Sequence, residues 1–544
     1  MNETSSGQTA TSDKTKNQRY ITEPSSTTIT DALVLFKNPS VTKPVTLIRA
    51  PIIFSRTSYS TPIALPIGLA YIAGVLEHAG YKAVIIDCPG NAIDNIQLTP
   101  DGNFHVQGQD VDRSIALIDP DTDIVGVSIM FSQEWPFVRD YINRVRKALP
   151  HVKIVIGGEH PTAMPEYSMN DCTAIDYIVM GEGELTFLEL CHKLRTGADV
   201  TTIRSIAYRK NGNVIRSGQL TRLADIKKMP WPAWHLINLE PYFQPNFTMG
   251  ISHGRNIAMI ATRGCPYQCT FCSNPTMWTT RYTMRDVTDV VNEIEFYIKQ
   301  YKINSIDYYD LTAVVKKEWI LELIAELKKR NIKMVWQLPS GTRSESLDDE
   351  VLTGLKDTGC EFVVYAPESG SQRTLDMIKK RVSLEKLEKS VTTAINKGLI
   401  VKINFIIGFP FEDRIDILKT LLFAWKLALL KAQDCNISPF SPYPGSELFT
   451  ELEKEGRFGK IDDNYFKSLI TQFDLTIPSS FCKKVSGFEL MTYRMVGFAV
   501  FYTLSYLRSP SKIIRLYKMW FNNEPFKAHS LFEQRMFDIK ARRT

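Results

Sequence analysis

Three cysteines lie within eight positions of one another, at the spacing C-x3-C-x2-C (Cys265, Cys269 and Cys272). Thiolates this close together select an iron–sulfur cluster or zinc. Three ligands leave one position of a tetrahedral shell open, which a catalytic metal site needs and a structural site avoids. The triad therefore predicts a reactive metal centre.

The alternative is half of a structural zinc site that is completed from elsewhere in the chain. The sequence contains no second C-x2-C or H-x3-H pair that would complete it. The triad also follows an apolar run, Ile257 to Ile260, and precedes a regular alternation of strands and helices rather than a small finger. Both observations favour the cluster.

The elements around the triad alternate between apolar stripes at helical spacing and short apolar runs, from residue 251 to 451. Six such units fit a partial (β/α)6 TIM barrel, whose active site lies at the C-terminal ends of the strands. The cysteine loop follows the first strand and has that placement. The predicted strands are Ile257–Ile260, Ser305–Tyr309, Lys333–Gln337, Phe362–Ala366, Ile400–Ile407 and Asn436–Phe440.

An earlier region, residues 43–215, shows a second strand–helix alternation. This pattern predicts an α/β domain with a doubly wound, Rossmann-like parallel sheet, whose ligands bind beyond the carboxyl ends of the strands. The loops at those ends are Ser128–Gln133, Gly157–Thr162 and Gly181–Glu184. The predicted strands are Val45–Ile48, Ala83–Ile86, Asp123–Ile129, Lys153–Ile156 and Tyr177–Met180.

Three further regions complete the predicted organisation. Residues 1–42 are rich in Ser, Thr, Asn and Gln and are predicted to be a disordered tail. Residues 216–250 form a linker that is rich in Pro and Trp. Residues 452–544 form a C-terminal helical subdomain in which no chemistry is evident. Its most apolar stretch, Val496 to Leu507, is too short to span a bilayer and is either a buried or an interfacial helix.

The cysteine loop, with Phe271 before the last cysteine, resembles the radical S-adenosylmethionine (SAM) superfamily. In that family the three cysteines bind three irons of a [4Fe-4S] cluster, and SAM binds the fourth iron. The resemblance extends to turns at the predicted strand ends. It implies SAM contacts at Phe271, Asp310, Arg343, Glu368 and Gly408.

The glycine-rich loops of residues 43–215 resemble the cobalamin-binding domain that is fused to many radical SAM enzymes. The Asp-x-His-x-x-Gly motif of other cobalamin domains is absent, and Asn103–Gly108 is the nearest match. The resemblance therefore implies cobalamin without a histidine on the lower face of cobalt. The residues implied to contact cobalamin are Ser128, Gly157, Gly158, His160, Pro161, Gly181, Glu182 and Gly183.

Composition agrees with an intracellular globular enzyme. The chain has 544 residues, with 65 basic and 59 acidic side chains spread along its length, a balance too mild to predict a nucleic-acid partner. Nine cysteines without disulfide-framework spacing indicate a reducing compartment, and we expect the cytoplasm. No signal peptide or transmembrane segment is predicted.

The resemblance implies a cobalamin-dependent radical SAM enzyme. Reductive cleavage of SAM would give a 5′-deoxyadenosyl radical, and methylcobalamin would deliver a methyl group to an unactivated carbon of a small-molecule substrate. The expected reductant is a flavodoxin or a ferredoxin. A cyclase or rearrangement enzyme with the same cofactors is one alternative. A non-catalytic metal protein that binds a partner is the other, and the carboxylates at the strand ends argue against it.

Overall fold

The computed structural model describes residues 27–58, 63–223, 225–244, 248–470, 476–521 and 528–541. Within those ranges the chain forms two sheets flanked by helices, a connector between them, and a helical C-terminal region. Among the described helices, none has the length and apolar character needed to cross a bilayer.

The first domain is an α/β unit built on strands with long apolar runs. Such runs form strands that are buried on both faces of a parallel sheet. Its strands are β1 (Val45–Arg49), β2 (Ile52–Ser55), β3 (Ala83–Asp87), β4 (Ile96–Leu98), β5 (Phe104–Gln107), β6 (Ile124–Ser128), β7 (Lys153–Gly157), β8 (Tyr177–Val179), β9 (Ile206–Lys210) and β10 (Asn213–Ser217). Its helices are α1 (Ile29–Leu35), α2 (Ile67–His78), α3 (Cys88–Asn91), α4 (Val111–Ala116), α5 (Trp135–Ala148), α6 (Glu159–Ala163), α7 (Pro165–Asp171) and α8 (Gly183–Thr196).

The main sheet has the order β10-β9-β8-β7-β6-β1-β3, in which β3, β1, β6, β7 and β8 are parallel. The chain order reverses between β1 and β6, so the ligand crevice of this fold lies beyond Arg49 and Ser128. The five predicted strands are confirmed. The sequence did not predict the antiparallel β9–β10 hairpin or the side sheet β2-β5-β4, because these strands are only three to five residues long.

The predicted disordered tail needs a correction at its C-terminal end. Residues 1–26 lie outside the described residues, but Ile29–Leu35 is the helix α1. The Thr28 side chain caps it by accepting a hydrogen bond from the Asp31 amide, and Ile29 and Ala32 are buried. Two buried side chains are too weak a periodic signal to be read from the sequence.

The connector begins after Ser217, where β10 ends, and it packs between the two domains. It has no strand or α-helix among its described residues, only short 3-10 turns at Trp234–Leu236 and Glu240–Phe243. Trp234 is fully buried and its indole Nε1 donates to the Tyr297 hydroxyl at 3.0 Å. The connector thus joins the domains through packing as well as through the chain.

The second domain is the predicted partial barrel, with six parallel strands in the order β11-β14-β15-β16-β17-β18. Its strands are β11 (Asn256–Met259), β12 (Thr262–Arg263), β13 (Thr283–Met284), β14 (Ser305–Tyr308), β15 (Val335–Thr342), β16 (Cys360–Glu368), β17 (Ile400–Ile407) and β18 (Asp434–Pro439). Its helices are α9 (Asn274–Trp278), α10 (Val287–Tyr301), α11 (Lys317–Lys329), α12 (Asp349–Asp357), α13 (Gln372–Met377), α14 (Leu384–Asn396), α15 (Arg414–Leu429) and α16 (Glu447–Lys454).

The C-terminal region is helical, as predicted, and its parts pack against different domains. Its helices are α17 (Asp463–Ser468), α18 (Gly487–Arg508), α19 (Ser511–Phe521) and α20 (Leu531–Ala541). Helix α17 packs on the first domain, where Asp463 forms an ion pair with Arg139 at 2.8 Å. Helix α18 packs along α15 and against β18, so it covers the open edge of the barrel.

Candidate active site

The cysteine loop joins β12 to α9 at the C-terminal end of the barrel sheet. All three thiols are free and half-buried. The amide of Cys272 donates to the Cys269 carbonyl at 3.1 Å, which closes a tight turn between them. Burial raises the pKa of Cys272 to about 12, and burial also raises the pKa of Cys269. The Cys269 and Cys272 thiols therefore keep their protons until a metal replaces them.

Two sets of contacts position the start of this loop. The Asp310 carboxylate accepts hydrogen bonds from the Ala261 amide at 3.2 Å and from the Thr262 amide and hydroxyl. Burial raises the pKa of Asp310 to about 6, although these hydrogen bonds act to lower it. Gly264 has φ +83°, and a Cβ there would lie 2.1 Å from the Arg281 carbonyl oxygen. Only glycine fits this position.

A buried polar cluster lies beside Cys269. The Glu368 carboxylate, at the end of β16, pairs with the Lys380 ammonium at 2.8 Å, and both side chains are at most 10% exposed. The Lys380 ammonium lies 5.8 Å from the centre of the Phe271 ring. The Arg343 guanidinium stacks 3.7 Å over Tyr267 and donates to the Lys380 carbonyl at 2.8 Å. The cluster brings together the predicted residues Phe271, Arg343 and Glu368.

The sequence did not predict Lys380, because it lies in the basic run Lys379–Arg381 between two helices, where no local pattern separates it from its neighbours. Glu368 has φ +70°, a left-handed conformation that is strained for a residue with a Cβ. Strain of this kind persists where the surrounding structure fixes it, and it concentrates at functional sites. Its partner Lys380 and the strand β16 supply that fixation.

The turn after β17 is organised by Glu412. Gly408 has φ +86°, and its amide and that of Phe409 donate to the Glu412 carboxylate at 2.6 and 3.0 Å. Burial raises the pKa of Glu412 to about 7. The side chain of Leu490 from α18 contacts the Gly408 backbone. The SAM contacts predicted for Gly408 and Asp310 stay predictions. In the structure both residues shape turns.

The cobalamin edge of the first domain is formed by the ends of β6 and β7. Ser128 pairs with Gly157 across these strands. Gly158 has φ +114°, and a Cβ there would lie 2.4 Å from the Ile129 carbonyl oxygen, so a side chain is excluded. Met130 and Phe131 follow β6 and are each 42% exposed at this edge. Backbone and apolar side chains thus form a surface that a large flat ligand can approach.

His160 and Pro161 are both buried in the first domain, and the cobalamin contact predicted for them stays a prediction. The His160 ring stacks on Trp135 with 4.9 Å between ring centres. Its Nδ1 lies 3.0 Å from the Ser132 hydroxyl and its Nε2 3.3 Å from the Ser168 hydroxyl. Burial lowers the pKa of His160 to about 3, so the ring is neutral. It is a packing residue in this structure.

The Glu182 carboxylate joins the two domains, and the cobalamin contact predicted for this residue stays a prediction. It pairs with Arg222 at 2.7 Å and with Arg263 at 3.3 Å, and Arg263 also pairs with Glu184 at 2.7 Å. All four side chains are less than 10% exposed. Glu182 therefore holds the loop after β8 against Arg263, two residues before the first cysteine. The flanking Gly181 and Gly183 give this loop its close packing.

The cobalamin edge and the cysteine loop are in direct contact. Ser273, next to Cys272, donates a hydrogen bond to Glu159, next to Gly158. The Tyr443 hydroxyl, after β18, accepts from the Ser132 amide at 2.7 Å and donates to Gln133 at 3.1 Å. The sequence could not predict these contacts, because each joins residues more than 100 positions apart.

The donor set fits the implied cofactors. Three thiols on one loop match a cluster in which each thiolate binds a different iron. Among the described residues, no three His, Cys, Asp or Glu side chains converge on a point where a single metal ion could be held. The glycine-lined edge with exposed Met130 and Phe131 suits a large flat macrocycle.

Comparisons with known proteins agree with this assignment. The B12 binding domain model matches residues 59–191, and the radical SAM superfamily model matches residues 259–424. An uncharacterized methyltransferase of Pyrococcus horikoshii is 30% identical over 71% of this chain and 77% of that protein. The cytidylyl-2-hydroxyethylphosphonate methyltransferase of Streptomyces wedmorensis is 28% identical over 76% of this chain and 82% of its own. The anaerobic magnesium-protoporphyrin IX monomethyl ester cyclase of Rubrivivax gelatinosus is 27% identical over 71% of this chain and 66% of that protein.

Two solved structures share the fold. The cobalamin-dependent radical enzyme OxsB, with aqua-cobalamin and SAM bound, has a TM-score of 0.63 at 15% identity, over 92% of this chain and 79% of that one. The methyltransferase TsrM from Kitasatospora setae, with cobalamin and a [4Fe-4S] cluster bound, has a TM-score of 0.60 at 15% identity. The match covers 85% of this chain and 89% of that one. Together with the two family models and the thiol loop, these relatives show that the chain belongs to the radical SAM superfamily, among its cobalamin-dependent enzymes.

Proposed function

We propose that this enzyme transfers a methyl group to an unactivated carbon of a small-molecule substrate. The contact between Ser273 and Glu159 carries the proposal, because it puts the cobalamin edge directly beside the cysteine loop. A radical formed at the barrel and a methyl donor held by the first domain would then face the same space. The similarity to two methyltransferases supports this assignment.

When bound, the cluster, SAM and cobalamin supply a carbon-centred radical and a transferable methyl group. The chain's own residues position and enclose that chemistry. Cys265, Cys269 and Cys272 would hold the cluster. Lys380 pairs with the Glu368 carboxylate and fixes it at the end of β16, where it can accept hydrogen bonds from SAM. The Tyr443 contacts close the gap between the domains and help to exclude water.

We further propose a flavodoxin or ferredoxin as the reductant and the cytoplasm as the compartment. All nine cysteines, which lie in the described part of the chain, are free. Thiols that must accept a cluster remain reduced in that environment.

The proposal is tested by anaerobic reconstitution with iron, sulfide and cobalamin, followed by dithionite and SAM. We expect bound corrinoid together with release of 5′-deoxyadenosine. The Cys269→Ala variant should lose 5′-deoxyadenosine formation, whereas Cys191→Ala, a buried cysteine of the first domain, should retain it. Reconstituted protein that cleaves SAM without binding corrinoid would contradict the proposal.

A cyclisation is the second candidate, because the chain is also similar to an anaerobic cyclase. SAM with a deuterated methyl group separates the two. Methylation of a component of a small-molecule extract would give a product that carries the labelled methyl group in place of a hydrogen. A product without the label would favour cyclisation.

A further inference from the structure

The outer surface of the C-terminal helices is unusually apolar. Of the 25 large apolar side chains that are exposed among the described residues, twelve lie on α15, α18 and α19. Scattered exposed apolar residues are ordinary in folded proteins, but a concentration on adjacent helices marks an interaction surface. We call this set the C-terminal apolar face: Ile415, Leu418, Leu422, Leu429, Phe488, Met495, Val496, Leu507, Ile513, Ile514, Tyr517 and Phe521.

The helices α15 and α18 lie side by side along their lengths. Arg414 pairs with Glu489 at 2.7 Å near their first turns, and the Trp425 indole donates to the Gly497 carbonyl at 3.3 Å near the middle. The Arg508 side chain donates to the Leu429 carbonyl at 3.3 Å at the far end. Their exposed residues therefore form one surface rather than two separate stripes.

Positions in α18 and α19 depart from the pattern of an ordinary surface helix, in which polar side chains face outward. In α18 the buried positions include the arginine Arg494 and the serine Ser505, while Phe488 is 69% and Leu507 is 67% exposed. In α19 the buried Lys512 donates to the Ser505 hydroxyl at 2.6 Å, while Phe521 is 73% exposed. Apolar side chains take the outward positions although polar ones are available.

The exposed charged side chains of these three helices are all basic. The three helices contain only two carboxylates: Asp416 is buried, and Glu489 is paired with Arg414. Lys419, Lys431 and Lys518 are exposed. A second copy of the chain would bring these ammonium groups against each other, whereas an anionic lipid surface would neutralise them.

We propose that the C-terminal apolar face docks the enzyme onto the surface of an anionic lipid bilayer. Apolar side chains on an amphipathic helical surface enter the boundary between headgroups and acyl chains, and the neighbouring lysines attract acidic headgroups. Tyr517 is an aromatic residue of the type enriched at that boundary. This inference is independent of the reaction proposed above, because none of these residues belongs to the cofactor sites.

The test is flotation of the full reconstituted chain with vesicles. We expect it to float with vesicles of phosphatidylcholine that contain about one-third phosphatidylglycerol, and less with phosphatidylcholine alone or at high salt. The double variant Leu422→Glu/Val496→Glu places two carboxylates in the face and should reduce flotation more than about tenfold. The matched control is Leu117→Glu, at a 53% exposed leucine of the first domain, which should float like the parent.

A second variant makes the test independent of the folding of the first. Lys419→Gln/Lys518→Gln should weaken binding to the anionic vesicles about fivefold for each lysine removed, and leave binding to phosphatidylcholine unchanged. Equal flotation of the parent chain and both variants would overturn the proposal, as would a parent chain that does not float at all. A lipid-free dimer that Leu422→Glu/Val496→Glu converts to a monomer would assign the face to a second copy instead.

Discussion

At the scale of single residues, the structure separates side chains that serve chemistry from those that serve packing. His160 lies in a glycine-rich loop, yet both ring nitrogens are occupied and the ring is buried. Lys380, which has no local signal in the sequence, pairs with Glu368 beside Cys269. Residue type and loop position predicted which loops supply the candidate residues, but they could not determine which way a side chain points.

Burial of neutral His160 makes stability depend on pH. Its pKa is about 3 in the folded chain and about 6.5 when unfolded, so the unfolded state binds the extra proton between these values. The stabilisation that the buried neutral His160 ring contributes is complete above pH 6.5, and it is lost as the pH falls toward 3. His160→Gln should flatten the fall in unfolding free energy between pH 7 and 5, measured by denaturant titration. A changed corrinoid spectrum in His160→Gln would contradict a packing role.

The Lys380–Glu368 pair predicts a strong asymmetry between single and double variants. Lys380→Met leaves a buried carboxylate without a partner and should destabilise the chain by about 3 kcal/mol. Lys380→Met/Glu368→Gln should recover most of that loss, because no charge is left unpaired. Thermal unfolding of both variants checks this. The control is Lys379→Met, which removes an exposed ion pair with Glu447 and should change the unfolding free energy by less than about 1 kcal/mol. Equal losses in the single and double variants would contradict it.

At the scale of elements, the sequence predicted the strands and helices best where an apolar run or stripe was long. All five parallel strands of the first domain and all six of the barrel are present. The helix α1 and the hairpin β9–β10 were not predicted, since their signals are short. The ion pairs of Glu182 could not be predicted from the sequence either, because its partners lie 40 and 81 positions away in the chain.

The cysteine loop depends on the backbone of Gly264. Gly264 and Gly212 have similar left-handed φ values, +83° and +80°, but only Gly264 is crowded, by the Arg281 carbonyl. Gly212→Ala should therefore cost about 1 kcal/mol from backbone strain alone. Gly264→Ala should displace the loop and reduce the iron and sulfide bound after reconstitution. Equal iron content in the two variants would show that the loop tolerates the clash.

At the scale of the whole molecule, the two cofactor domains share one interior. A single apolar cluster extends from the first domain through the connector into the barrel. A second cluster, on the other face of the first sheet, includes Phe466 of α17. The cobalamin edge and the cysteine loop are consequently held together by packing on both sides, which the chemistry requires because radical and methyl donor must meet in a closed space.

The buried ion pairs between the domains should be essential to that arrangement. Glu182→Gln removes the charge that faces both Arg222 and Arg263, and it leaves Arg222 without an ionic partner. Loss of one member of a buried pair costs about 3 kcal/mol or more, whereas the exposed pair Lys328–Asp357 is worth less than about 1 kcal/mol. Urea unfolding of Glu182→Gln and Lys328→Met should show this difference. Glu182→Gln should also lower 5′-deoxyadenosine formation, because Arg263 keeps only its pair with Glu184 and holds the start of the cysteine loop less firmly. Matching stabilities of the two variants would mean that apolar packing alone holds the domains together.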